Sequence, residues 1–116
     1  LGVAEVTMSP DELVQAVFAR VRGADPTVAD LYGPDASLET AAGVVRGREA
    51  IAAFYQDVFR TTRPQPSVEA LFVNLPMVVA LLRIEVPDGG VRRVVDVFHV
   101  DDGAISSMRV CSEQAP

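Results

Sequence analysis

An aspartate interrupts what should otherwise be an apolar strand, Val94-Val95-Asp96-Val97-Phe98. Side chains alternate along a strand, so Val94, Asp96, Phe98 and Val100 share one face while Val95, Val97 and His99 share the other. An acid among apolar neighbours is costly when ionised; it must find donors or keep its proton through a raised pKa. In the second state it can donate a hydrogen bond to a carbonyl oxygen that is becoming an enolate. The competing reading is an acid that faces solvent or an arginine, such as Arg109 on the next strand. The pattern alone leaves both open.

Tyr32 and Tyr55 are the only tyrosines, and both are expected on helices whose apolar faces cover the sheet. A phenol there can bond a substrate oxygen, brace another donor, or simply pack with its hydroxyl on a partner. His99, by parity opposite to Asp96, is expected at a surface or subunit contact. Cys111 is the single cysteine, so it forms no internal disulfide and reads as a buried or interface thiol. One histidine and one cysteine cannot build a structural zinc set, and neither metal nor cofactor is expected. A Ser-His-acid triad would have to rely on this one outward histidine. Gly43-Val44-Val45-Arg46-Gly47 lacks the endings and spacings of phosphate-binding glycine loops. Arg92-Arg93 beside a Gly-Gly turn reads as solvated hairpin surface.

These residues need elements to hold them. Ser9-Pro10-Asp11-Glu12 joins a capping Ser to a first-turn Pro and a Glu three residues after the cap. The helix that follows buries Leu13, Val14, Val17, Phe18 and Val21 and stops at Gly23. Asp25-Pro26 starts a short second helix through Val28, Leu31 and Tyr32, ended by Gly33-Pro34. Ala36 to Thr40 reads as a short strand, followed by a flexible Ala41-Ala42-Gly43 bend. A third helix after Gly47 carries Ile51, Phe54, Tyr55, Val58 and Phe59 on one face. Four strands then run from about Ser67 to Asn74, Met77 to Val86, Val91 to Asp101 and Ala104 to Ser112, joined at the last two hairpins by Pro87-Asp88-Gly89-Gly90 and Asp101-Asp102-Gly103. Helices grouped ahead of consecutive hairpins predict an α+β fold, three helices on one face of a curved, mainly antiparallel sheet.

The chain has 116 residues, 49% of them hydrophobic, enough for one domain with a modest core. Residues 8 to 113 are read as that domain, and residues 1 to 7 as an N-terminal extension or vector remnant. The net charge of −6 disfavours nucleic acid as a partner. All ten basic residues are Arg, a habit of GC-rich bacterial coding. With no membrane-length apolar run and no targeting segment, a cytoplasmic protein is expected.

Three segments carry a resemblance: Leu31-Tyr32-Gly33-Pro34-Asp35-Ala36-Ser37-Leu38-Glu39, Arg46-Gly47-Arg48-Glu49-Ala50-Ile51-Ala52-Ala53-Phe54-Tyr55, and Val95-Asp96-Val97-Phe98-His99-Val100-Asp101-Asp102-Gly103 through Ser107-Met108-Arg109. They resemble bacterial ketosteroid isomerases and the broader SnoaL-like and nuclear transport factor 2-like superfamily, over nearly all of residues 9 to 112. The resemblance implies a cone, a bent sheet closed at one end by three helices around an internal hydrophobic pocket, with homodimers formed through the outer sheet face. Its chemistry is proton transfer beside a ketone, with a tyrosine and a protonated aspartic acid holding the enolate oxygen.

Asp96 falls on that acid's position, and Tyr32 and Tyr55 fall on two tyrosines that support the same network. Phe54, Leu82, Ile84, Val94, Met108 and Val110 correspond to apolar pocket positions, and Ser112 stands where some isomerases have Trp. Two departures follow: Thr40 occupies the place of the base aspartate and Ala16 that of the principal oxyanion tyrosine. Threonine is no general base near neutral pH. Glu39, one residue away, is expected on the opposite face unless a bulge turns it inward. The implied function is acid-base chemistry on a steroid- or polyketide-like carbonyl compound, an isomerase or cyclase without cofactor. Its alternatives are a non-catalytic lipophilic-ligand binder and a dimeric assembly module that pairs through Val95, Val97 and His99.

Overall fold

The capping signal at Ser9 is realised: its backbone N–H donates to Glu12 Oε1 at 2.9 Å, and helix α1 runs Pro10–Arg22. Leu13, Val14, Val17, Phe18 and Val21 form its buried face, as their spacing predicts. This computed structural model describes residues 8–87 and 89–112. The expected extension 1–7, the domain's last residue at 113 and Asp88 in the expected turn lie outside the described residues, as does the side chain of Ser112.

Asp25-Pro26 does start a helix, but a 3-10 helix, Pro26–Leu31, capped by Asp25 accepting from the Thr27 amide at 2.9 Å. Tyr32 is not on it. Strand β1 runs Tyr32–Thr40, four residues longer at its start than its apolar pattern suggests. Gly33 and Pro34 break the helix without breaking the strand, because they fall where the β1 register slips between Tyr32 and Ser37. The segment read as a flexible bend is also structured: β2, Gly43–Arg46, pairs back on β1. Four residues at a sheet edge are too few to show a period.

Helix α2, Arg48–Thr61, begins at Gly47, whose φ of 90° favours glycine and lets the chain leave β2 and enter the helix at once. Ile51 and Tyr55 are fully buried on α2, with Phe54, Val58 and Phe59 half-buried beside them. Strands β3 (Gln65–Asn74), β4 (Met77–Glu85), β5 (Val91–Asp101) and β6 (Ala104–Ser112) complete the chain. The sheet order is β2-β1-β6-β5-β4-β3. Only the β1–β6 pair is parallel.

The result is an α+β fold, three helices on an open, curved six-stranded sheet. Irregular registers at Val68/Ala70, Tyr32/Ser37 and His99/Val100 supply local bending. The inner face buries Leu38, Val78, Ala80, Leu82, Val94, Phe98 and Met108 under the helices. Phe18 of α1 meets Phe98 edge to face, centroids 5.8 Å apart. The outer face carries Val95, Val97 and His99, all half-buried. No described helix is long and apolar enough to cross a membrane.

Candidate functional site

The alternation in β5 places Asp96 on the inner face, 4% exposed, between buried Val94 and Phe98. Its cross-strand neighbours are Val110 on β6 and Ala80 on β4, so the carboxyl group has no polar side chain beside it in the sheet. Its Oδ1 atom is buried without a hydrogen-bond partner. Burial alone pushes its pKa up from 3.8 to about 7, because an ionised carboxylate loses its hydration there and no cation compensates. The reading in which Arg109 neutralises Asp96 does not hold. Arg109 pairs with Val97 in register and faces outward, where its Nε lies 3.2 Å from Glu39 Oε1.

The two tyrosines meet each other in the buried layer. Tyr32 from the start of β1 and Tyr55 from the middle of α2 place their hydroxyls 2.6 Å apart, both buried. Burial raises both phenol pKa values, and Asp96, when ionised, raises each further, so the three groups share one neighbourhood. A hydroxyl pair has two protons and one mutual bond. Either hydroxyl can donate in this bond, so one proton of the pair remains uncommitted. Arg48 fixes the base of this pair: its Nε donates to the Tyr32 carbonyl oxygen at 3.0 Å, tying the first turn of α2 to β1. Sequence reasoning noted Arg48 only inside a motif; a cation next to a helix-starting glycine was the available signal.

Thr40 lies on the same face as Asp96. Glu39 pairs with Arg109, so Thr40 falls beside Val110, and Val110 in turn pairs with Asp96. Two strand spacings separate them, about 10 Å. Thr40 Oγ1 accepts from the Ala42 amide at 3.1 Å, and Thr40 lines a cleft of about 130 Å³ with Leu38, Val45 and Phe54. Glu39 is turned to the outer face by strand alternation, and no bulge intervenes between it and Thr40.

A family model for the SnoaL-like domain matches residues 14–108. The chain belongs to the SnoaL-like domain family. Comparison with curated proteins gives no significant match. Solved structures share the fold of this SnoaL-like chain at low identity. An NTF2-like protein of unknown function from Cytophaga hutchinsonii superposes with a TM-score of 0.81 at 14% identity, over 94% of each chain. A Catenulispora acidiphila protein with a ketosteroid isomerase-like fold, in complex with trimethylamine, gives 0.81 at 16%, over 89% of this chain and 86% of that one. SalBIII, an epoxide hydrolase/cyclase-like enzyme with a role in pyran ring formation in the polyether salinomycin, gives 0.80 at 23%, over 90% and 91%.

The SnoaL-like sheet brings the expected lining residues to the inner face but divides them among separate openings. Leu82, Val94 and Met108 are buried, while Phe54, Ile84 and Val110 are half-buried. Ile84 lines a cleft of about 490 Å³ with Thr61, Thr62 and Arg92. Leu82 and Val94 line one of about 430 Å³ with Glu69 and Arg93. Asp96 lines neither of these nor the cleft at Thr40. His99 lies on the outer face with its Nδ1 3.4 Å from Ser107 Oγ. Cys111 is exposed rather than buried, because its register partner is outward Val95. Among the described residues, no three His, Cys, Asp or Glu side chains group closely enough to hold a metal ion.

Proposed function

We propose that this SnoaL-like protein binds a hydrophobic carbonyl compound of steroid or polyketide type on its inner sheet face and polarises the carbonyl oxygen through neutral Asp96. The observation that carries this reading is the buried, unpartnered Oδ1 of Asp96. Native proteins pair nearly all buried polar atoms, so an orphan among apolar neighbours supports a role in bonding a ligand's polar group. The buried Tyr32–Tyr55 hydroxyl pair supports the same reading, since its phenols are close enough to Asp96 to be influenced by it. Protonated Asp96 donates to the oxygen, and Phe54, Leu82, Ile84, Val94, Met108 and Val110 provide the apolar surroundings.

The chemistry that follows is acid catalysis without a cofactor: donation to an oxygen that gains charge during double-bond migration, cyclisation or dehydration. Thr40 cannot remove the substrate proton, and Glu39 is bonded to Arg109 on the opposite face. Steps in which the substrate supplies its own nucleophile are therefore favoured over isomerisation. The reaction named for the SalBIII relative is ring formation, and a ring closure onto an epoxide draws on the same donor. The absent base also supports the second reading, a lipophilic-ligand binder without turnover. On the outer face, half-buried Val95, Val97 and His99, with exposed Phe72 in the same cross-strand row as Val97 beyond Val79, support pairing of two copies.

Binding of androstenedione by equilibrium dialysis tests this function. Saturable binding that falls about tenfold or more in Asp96→Leu, with folding retained, is the expected result. Equal affinity in that variant would overturn the assignment of Asp96.

A further inference from the structure

Arg92 and Arg93, which the sequence groups as solvated hairpin surface, are sent to opposite faces of the sheet by the alternation of β5. Arg93 goes to the outer face with Val95, where its Nη1 lies 3.6 Å from Glu69 Oε1. Arg92 goes to the inner face with Val94 and lines the cleft of about 490 Å³ with Thr61, Thr62 and Ile84. Arg60, Arg83 and Arg109 also have carboxylate partners, whereas Arg92 has neither an ion pair nor a side-chain hydrogen bond among the described residues. Nor does it cap the end of α2 in that cleft. The Asp57 carbonyl there already accepts from the Thr61 hydroxyl at 2.8 Å, and the Val58 carbonyl from the Thr62 hydroxyl at 3.3 Å and from the amides of Thr62 and Arg63.

We propose that this cleft is a ligand site of its own, and that it takes a small monocarboxylate with an apolar body, the carboxylate seated on the Arg92 guanidinium. Both threonine hydroxyls spend their protons on helix carbonyls, so they offer the cleft only lone pairs. The guanidinium therefore carries the only uncommitted side-chain donors of the lining, and its planar fork matches a carboxylate through two parallel bonds. The threonine oxygens and the negative end of α2 oppose a second negative charge, which favours a carboxylate over a phosphate dianion. Ile84 sits directly across from Arg92 in the β4–β5 register, and Val86, Pro64 and Pro87 extend the apolar wall. Ile84 and Val86 are only half-buried, so a ligand that covers them removes apolar surface from water. Asp96, four residues further along β5, is about 13 Å away along the strand and lines none of this cleft. The inference thus stands independently of the reading of Asp96.

The test uses the full chain and two probes of one shape, biphenyl-4-carboxylate and its neutral amide, with affinities measured by equilibrium dialysis at low salt for wild type, Arg92→Gln and Arg93→Gln. A chain of net charge −6 has no general attraction for anions, so preference for the acid must come from a local cation. Wild type should bind the carboxylate about fivefold more tightly than the amide, the scale of an exposed but well-matched ion pair. Arg92→Gln should erase that preference by weakening only the carboxylate. Arg93→Gln removes the same charge from the other face and should retain it. Both arginines are exposed, so both variants are expected to fold. Equal binding of the two probes by wild type, no binding of either, or equal losses in the two variants would each overturn the inference. So would an Arg92→Gln protein that still prefers the carboxylate, since the anion would then sit elsewhere.

Discussion

Tyr32 and Tyr55 place their hydroxyl oxygens 2.6 Å apart in the buried layer between β1 and α2, and each is the other's only hydrogen-bond partner among the described side chains. Removing one therefore strands the other. Tyr55→Phe leaves the wholly buried Tyr32 hydroxyl unsatisfied and should cost on the order of 1–3 kcal/mol. Tyr32→Phe should cost less, since Tyr55 keeps a little exposure. The double variant should be less destabilised than the sum of the singles, because no hydroxyl is then left without a partner. Urea unfolding of the four proteins checks this; strict additivity would show that the pair does not act as a unit.

Asp96 gives stability an unusual pH dependence. Its folded pKa is about 7 against an ordinary 3.8, so the folded state holds the proton more tightly than the unfolded chain. The contribution is fully present below about pH 4 and is lost as pH rises through about 7, by up to roughly 4 kcal/mol. Asp11 and Asp25, both lowered by hydrogen bonds to Ser9 and Thr27, contribute in the opposite direction at low pH. They are common to wild type and Asp96→Asn and cancel in the difference. The variant should accordingly gain stability relative to wild type as pH rises from about 4 to about 8. A constant difference would mean that Asp96 is not protonated in the fold.

Much of this arrangement was legible in the sequence because it rests on period. Alternation put Asp96 on the face of Val94 and Phe98 and His99 on the other, leaving open whether Asp96 met solvent or an arginine, and the helix faces of α1 and α2 followed from apolar spacing. What escaped was aperiodic. Tyr32 reads as the end of a helix because Gly33-Pro34 is a strong breaker, yet an irregular parallel pairing carries the strand through it. Edge strand β2 has one hairpin turn of pattern and no more. Arg109 could be weighed as a partner for Asp96 only while the β5–β6 register was unknown; the pairing of Val97 with Arg109 excludes it. The exposure of Cys111 depends on the same register.

A base can be installed where Thr40 stands. Thr40→Asp puts a carboxylate on the inner face about two strand spacings from Asp96. With a β,γ-unsaturated ketosteroid, the rise of conjugated-enone absorbance should be at least about 100-fold faster than for wild type, the usual scale for a positioned base. Adding Asp96→Leu should remove the gain. Glu39→Gln in the wild-type background should leave the slow rate unchanged, because that side chain is held by Arg109 on the other face. A large loss in Glu39→Gln would instead identify Glu39 as the base.

The central claim is that Asp96 meets its ligand as a neutral acid, and the pH profile of binding for an uncharged ketone addresses it most directly. Affinity for androstenedione, measured by equilibrium dialysis from about pH 5 to about pH 9, should be flat at the acid end and fall with a midpoint near the pKa of about 7. Asp96→Asn should give a level profile. A wild-type profile as level as the variant's, or one that tightens as pH rises, would contradict the account.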